Sequence, residues 1–474
     1  MKQPGRYARF GMRIALLLLL ALLIPGCFAF DITTGAWQIT AVLVLGMGLG
    51  IWIVLAPFSS KKKRIFLLLV ALLARLLWNW NVTPFPADDY KTIYDAAGAL
   101  LLGDVTPFWG THYLARFPHL TVMALYMAAM RFSFGAYAII AMRVVNILAS
   151  MISVCLMGNI AEKIFGSTRA GHMALAVAVV FPPMVTYTAT FCSETLAMPF
   201  YLAGVSLFLD LPRKTRKIPL LCGFFLAFGY LFRSVATVTL VAFLLFLLLF
   251  DGRKIRQRLA DGVTITVCYT TVIVLVSTAL QLSGITQYPL WSGAEPNSAN
   301  VLKGVNPSSG GRWNVQDAAL IQQNLTDTDR LDELCRQKIR ARVDVPLHDL
   351  MAFYRNKFIH QWRSGDFAGA YWSQTGALRV KIPVSLPFCP AFQVFYVMLL
   401  LPFAIGLCRR RIPNGMNLCL LLLCGYGTLY LITEMQPRYG YIVCWLFVLF
   451  AINGIYTVAN GAKLLYNKTI MRKR

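Results

Sequence analysis

The sequence predicts an all-α polytopic membrane protein of about twelve transmembrane helices, with juxtamembrane helices and one large loop segment on the external side. Three observations carry the prediction. Apolar runs long enough to cross a bilayer recur along all 474 residues. Charged residues make up only 14% of the chain, against about a quarter in a soluble domain. The basic residues gather in short clusters between apolar runs, the positive-inside pattern, which accounts for the net charge of +25 without a polyanion. Nucleic acid is therefore not an expected partner.

Taken in order, spans are expected at 14–30, 36–57, 65–80, 137–160, 171–190, 194–209, 218–232, 234–250, 263–283, 391–408, 415–433 and 439–459. Clusters at Lys2/Arg6/Arg9/Arg13, Lys61-Lys62-Lys63-Arg64, Arg213/Lys214/Arg216/Lys217, Arg253/Lys254/Arg256/Arg258, Arg409-Arg410-Arg411 and Arg472-Lys473-Arg474 all fall on one side of a single threading. That side is the cytoplasm, and both termini lie there. The N-terminal run into Pro25-Gly26-Cys27 also resembles a secretory signal, but Pro25 breaks a lipobox, so a retained span is expected. Residues 119–132 are too short for a span and are expected to form a juxtamembrane or re-entrant helix. The run 218–250 is too long for one span and is split into two that meet at Arg233 on the external face.

Four regions result. Residues 1–64 form an N-terminal hairpin of spans, and 65–283 a transmembrane core with a first external loop at 81–136. Residues 284–390 form a cap of helices without a core of its own, and 391–474 the last spans and a basic tail. Most of the eleven cysteines sit in apolar runs as small hydrophobes, with Cys335 in a polar segment, so no disulfide framework is expected.

The residues that stand out are charged ones beside the bilayer. Asp88-Asp89 follows the third span directly, and Tyr90 opens a surface helix. Adjacent carboxylates repel each other and resist desolvation, so packing alone seldom keeps two of them there. An N-cap role explains one acid, not both. Glu194 starts its span, where either a favourable interaction with the helix dipole or a second acid of the same cavity accounts for it. Arg233 lies between apolar runs with no acid nearby in sequence, so it either snorkels or holds a phosphate through its forked guanidinium. Arg438 precedes Tyr439 at the start of the last span, with Glu434 as a candidate ion-pair partner, and Arg75 lies within the third span. His112 and His119 lack metal-ligand spacing, so no metal or other cofactor is expected. In the cap, Trp313-Asn314, Asp317, Tyr354 to Lys357 and Gln361-Trp362-Arg363 mix aromatics, cations and amides that suit either a sugar site or an ordinary surface.

Together these features resemble the membrane glycosyltransferases of the GT-C fold, within the protein O-mannosyltransferase and aminoarabinose-transferase superfamily (glycosyltransferase family 39 and its bacterial relatives). The resemblance spans roughly 65–460. It rests on Asp88-Asp89-Tyr90, Gly103-Asp104, Arg116-Phe117-Pro118-His119-Leu120, Phe165-Gly166, Phe181-Pro182-Pro183, Glu194, the Arg233 turn and Arg438-Tyr439. Asp89 stands where the family commonly has Glu, Phe117 where it has Pro, and two spans precede the usual first one. The resemblance implies a multi-pass plasma-membrane enzyme whose donor is a polyprenyl-phosphate-linked sugar. It implies Asp88, Asp89 and Glu194 as catalytic residues, and Tyr90, Arg116, Arg233, Arg438 and Tyr439 as substrate-binding ones. A polysaccharide polymerase or ligase, or a lipid-linked sugar flippase, remains the alternative; the absence of an internal repeat weighs against the flippase.

Overall fold

A computed structural model describes residues 5–28, 37–211, 217–409 and 411–473. Lys2, the Arg213/Lys214/Arg216 cluster, Arg410 and Arg474 lie outside the described residues. The chain is almost wholly helical. In order it runs through α1 (Gly5–Gly26), α2 (Trp37–Leu55), α3 (Ser60–Asn81), α4 (Asp88–Leu101), α5 (Tyr113–Arg116), α6 (Thr121–Phe134), α7 (Ala138–Phe165), α8 (Thr168–Val180) and α9 (Pro182–Thr186). It continues with α10 (Ser193–Phe208), α11 (Lys217–Phe232), α12 (Ala236–Leu249) and α13 (Ile255–Leu282). The cap holds α14 (Asn297–Gly304), α15 (Val315–Asn324), α16 (Thr328–Val343), α17 (Leu347–Trp362) and α18 (Gly369–Gln374). The chain then closes with α19 (Pro390–Cys408), α20 (Gly415–Ile432) and α21 (Cys444–Lys473).

Each of the twelve predicted spans is helical over most of its length. Eight described helical runs are long and apolar enough to cross a membrane, and a ninth results if the bent pair at 168–189 is one span. Helices α10, α11 and α12, at 16, 16 and 14 residues, are shorter than the roughly 20 residues of a full crossing. The predicted 171–190 span is broken by 62° where Phe181-Pro182-Pro183 interrupts the backbone ladder. The last span begins not as an α-helix but as a 3₁₀ turn, Pro437–Val443. Ends that carry basic clusters gather together: Arg13 donates to Arg409 O at 2.7 Å, Asn414 to Phe250 O at 3.3 Å and Lys163 to Asp210 at 2.6 Å.

Arg75 shows how the broken helix is held. It is fully buried in α3, where an unmet charge would cost several kcal/mol. Its guanidinium donates to Ser150 Oγ and Ala71 O at 2.8 Å, and to Ala178 O and Val179 O at 3.3 Å. Those last two carbonyls are orphaned by the break after α8, so Arg75 caps it. At the crossing of α19 and α21, small residues let the backbones touch. A Cβ on Gly454 would collide with the Pro402 carbonyl oxygen.

Two features of the cap differ from expectation. A short antiparallel pair, β1 (Val82–Thr83) with β2 (Arg379–Val380), ties the end of α3 to the end of the cap, in the register Val82↔Val380. Asn81 reinforces it by exchanging hydrogen bonds with Ile382 at 2.8 and 2.9 Å. The cap also has a small core of its own, from Ala299, Leu302, Ile321, Leu325, Leu331 and Cys335. Cys335 is thus buried although its sequence neighbours are polar. All eleven cysteines are free.

Candidate active site

At the end of the bundle away from the clustered basic ends lies a cavity of about 1210 Å³. Its walls come from α4 and α5, the first turn of α10, the turn between α11 and α12, the cap, and the segment joining α20 to α21. Asp88, Asp89, Tyr90, Arg116, Glu194, Arg233, Arg438 and Tyr439 all line it, so the residues singled out in the sequence meet at one place.

The two adjacent acids differ. Helix α4 starts at Asp88 with Ala87 as its N-cap, and no side chain caps it, so neither carboxylate serves as the N-cap considered from sequence. Asp88 has φ 49°, a left-handed backbone that costs a non-glycine residue of the order of 1 kcal/mol or more. It is exposed to the cavity and, among the described residues, has no hydrogen-bond or ion-pair partner. Asp89, by contrast, lies 3.6 Å from Arg438 Nη2 and beside the Tyr113 phenol. Burial, with the Asp89 charge beside it, raises the Tyr113 phenol and keeps it a proton donor.

Arg438 is surrounded rather than exposed. It donates to Tyr90 Oη and sits over the rings of Trp372, at 4.7 Å, and of Tyr90 and Tyr439, both at 5.4 Å. Its Nε is buried without a partner. Glu434, the partner expected from sequence, instead accepts from Gln436 at 2.6 Å, because the turn at Pro437 points Arg438 towards α4. Tyr90 is itself buried, and its hydroxyl is taken up by Arg438 and by Cys192 Sγ at 2.9 Å. Burial raises the Tyr90 phenol well above its ordinary range, so its oxygen remains a neutral acceptor. The residue holds Arg438 in place.

Arg233 does not snorkel. Its guanidinium lies 3.5 Å from Glu194 and 4.6 Å from the centre of the Tyr439 ring, so one tyrosine ring lies beside two arginines. Glu194, in the first turn of α10, is almost fully buried, and its Oε1 has no hydrogen-bond partner. A charged pair at 3.5 Å with an orphaned oxygen, beside an orphaned Arg438 Nε, leaves polar valence unspent in the cavity wall. Arg116 is more fully committed: its Nε and Nη2 grip Glu295 at 3.1 and 2.6 Å, and Lys303 reaches the same carboxylate at 2.9 Å. Arg116 therefore binds the first loop to the cap while also lining the cavity.

His119 lines the cavity and His112 does not. Among the described residues no group of three or more His, Cys, Asp or Glu could hold a metal ion. Of the cap residues singled out, Trp313 reaches the cavity, whereas Asp317, Lys357, Gln361 and Trp362 are buried in structural contacts. Sequence reading missed Trp372, Tyr113, Glu295 and Lys303. Nothing local marks Trp372 or Tyr113, since both act through partners far away in sequence; the Glu295–Lys303 spacing on a turn-rich stretch was the one available signal.

Residues 119–281 match the family model of the dolichyl-phosphate-mannose-protein mannosyltransferases. The GT-C glycosyltransferase resemblance read from the sequence holds. The match takes in Glu194, Arg233 and the α6–α13 helices; the Asp88-Asp89 loop, the cap and Arg438 lie outside it. No curated protein matches the chain. The match supports a multi-pass membrane glycosyltransferase that uses a polyprenyl-phosphate-linked sugar.

Proposed function

We propose that the protein transfers a sugar from a polyprenyl phosphate to a hydroxyl or amine of a cell-envelope lipid, polysaccharide or protein, at the outer face of the plasma membrane and with inversion. The observation that carries this reading is the contrast inside the cavity: one carboxylate, Asp88, stands free, while two arginines converge on one tyrosine ring, that of Tyr439. In this scheme Asp88 takes the proton of the acceptor group as its oxygen or nitrogen bonds to the anomeric carbon. The bond from that carbon to the phosphate oxygen breaks on the opposite face, which inverts configuration. Polyprenyl phosphate leaves, its developing charge met by Arg233 and Arg438. Glu194 pairs with Arg233, and Asp89 tunes the charge of Arg438, whose position Tyr90 holds.

Because the arginines meet the leaving-group charge, the scheme needs no metal or other cofactor, and activity should survive chelation by EDTA. The orientation rests on the positive-inside threading, which puts every cavity-lining stretch outside and both termini in the cytoplasm. The decisive experiment incubates protein in nanodiscs with a panel of tritiated hexosyl polyprenyl phosphates (mannose, glucose, galactose), without nucleotide. Release of polyprenyl phosphate with transfer or hydrolysis of the sugar is expected. Movement of intact donor across a bilayer with no bond broken would replace this reading with the flippase.

A further inference from the structure

The transfer step leaves the cap side of the cavity unexplained. Trp291 and Trp313 are 48% and 57% exposed, yet both line the cavity. Large exposed indoles normally find cover, and here rigid anchors hold them open. The stretch carrying Trp291 is stitched to the first loop by Ala294 N donating to Ala115 O at 3.0 Å. Trp313 precedes Asn314, which accepts from Asp317 N at 2.8 Å; Asp317 is buried and held by Arg342 at 2.7 Å and Asn306 at 2.8 Å. Two amides share this wall. Gln322 accepts from Arg116 at 3.2 Å and keeps its NH₂ unused, and the Asn297 side chain has no partner among the described residues.

Indole faces beside unspent amides suit a sugar, whose C–H faces pack on aromatic rings and whose hydroxyls take up amide hydrogen bonds. The cavity, at about 1210 Å³, exceeds the roughly 300–1,000 Å³ that houses one drug-sized ligand, which leaves room for a second substrate beside the donor sugar. We infer that Trp291 and Trp313, with Gln322 and Asn297, form an acceptor subsite for a saccharide, so that the group glycosylated is a glycan hydroxyl and not a polypeptide side chain. The inference rests on the glycosyl-transfer reading above.

The test uses membranes from cells expressing the full chain, with the same panel of tritiated donors. Labelled product is sorted by proteinase sensitivity, and free hexose from donor hydrolysis is counted separately. Label is expected in proteinase-resistant saccharide. Trp313→Ala and Trp291→Ala should each cut transfer roughly tenfold through the acceptor KM, about what an aromatic contact supplies, while leaving donor hydrolysis within about twofold. Trp313→Phe, which keeps a ring, should recover most of the transfer. Label in proteinase-sensitive product, or unaltered transfer in both Ala variants, overturns the saccharide subsite alone. Absence of any donor turnover in the unaltered protein overturns the glycosyltransferase reading and this inference with it.

Discussion

Two buried arginine sites in this protein meet the same physical problem in opposite ways. Around Arg75, the guanidinium is surrounded by neutral oxygens at 2.8–3.3 Å, and two of the three carbonyls it serves, those of Ala178 and Val179, are ones the broken helix had left without donors. Around Arg438 and Arg233, the nearest carboxylates stand off at 3.6 and 3.5 Å, two buried polar atoms have no partner, and Asp88 has none at all. The first site is closed and the second is open. A charge that serves the fold is satisfied completely, and under the proposed sugar transfer the valence left unspent around Arg233 and Arg438 is what a substrate phosphate would complete.

The sharpest way to break the comparison is to remove the free acid. Asp88→Asn keeps size and polarity but cannot take a proton, so transfer should fall by at least roughly a hundredfold, the scale of general-base loss. Thermal stability should not fall, because no contact is lost. Single-turnover transfer at matched expression measures it, and near-normal turnover would make Asp88 an ordinary surface acid.

The next test sets the arginines against each other. Arg438→Ala should weaken donor binding by roughly tenfold to a hundredfold, the worth of a charge-assisted phosphate contact, and Arg438→Lys should recover part of it. Arg75→Ala should leave donor affinity alone and lower the unfolding midpoint instead, since orphaned carbonyls at the break cost roughly 1–3 kcal/mol each. A donor-binding defect in the Arg75 variant would erase the distinction between closed and open sites. At the other end of the bundle, Gly454→Ala should destabilise by roughly 1–3 kcal/mol without touching donor affinity, because the new Cβ forces α19 and α21 apart.

These sites differed in how far the sequence revealed them. The spans were legible because bilayer thickness writes itself as run length, and the residues that line the cavity because charges beside a bilayer are rare. Who pairs with whom was not legible. Glu434 looked like the partner of Arg438 from four residues away, yet the 3₁₀ turn at Pro437 hands Arg438 to Asp89 and Tyr90, some 350 residues earlier. Arg75 stayed ambiguous because its role depends on carbonyls exposed by a bend in another helix. The β1–β2 pair was invisible since two-residue strands carry no periodicity.

The smallest effect is the most discriminating, because it separates adjacent acids. Asp89 is 43% exposed and stands 3.6 Å from Arg438, the geometry of a solvent-screened ion pair, worth about 0–1 kcal/mol. Without its charge, Arg438 still donates to Tyr90 and lies over Trp372, so its position survives. Asp89→Asn should therefore slow transfer by no more than about fivefold, the rate equivalent of 1 kcal/mol, against the much larger loss in Asp88→Asn. The loss should shrink further at high salt, where screening has already weakened the pair. An inactive Asp89→Asn beside an active Asp88→Asn would exchange the two roles, and Asp88 would then owe its left-handed backbone to the start of α4 and not to proton transfer.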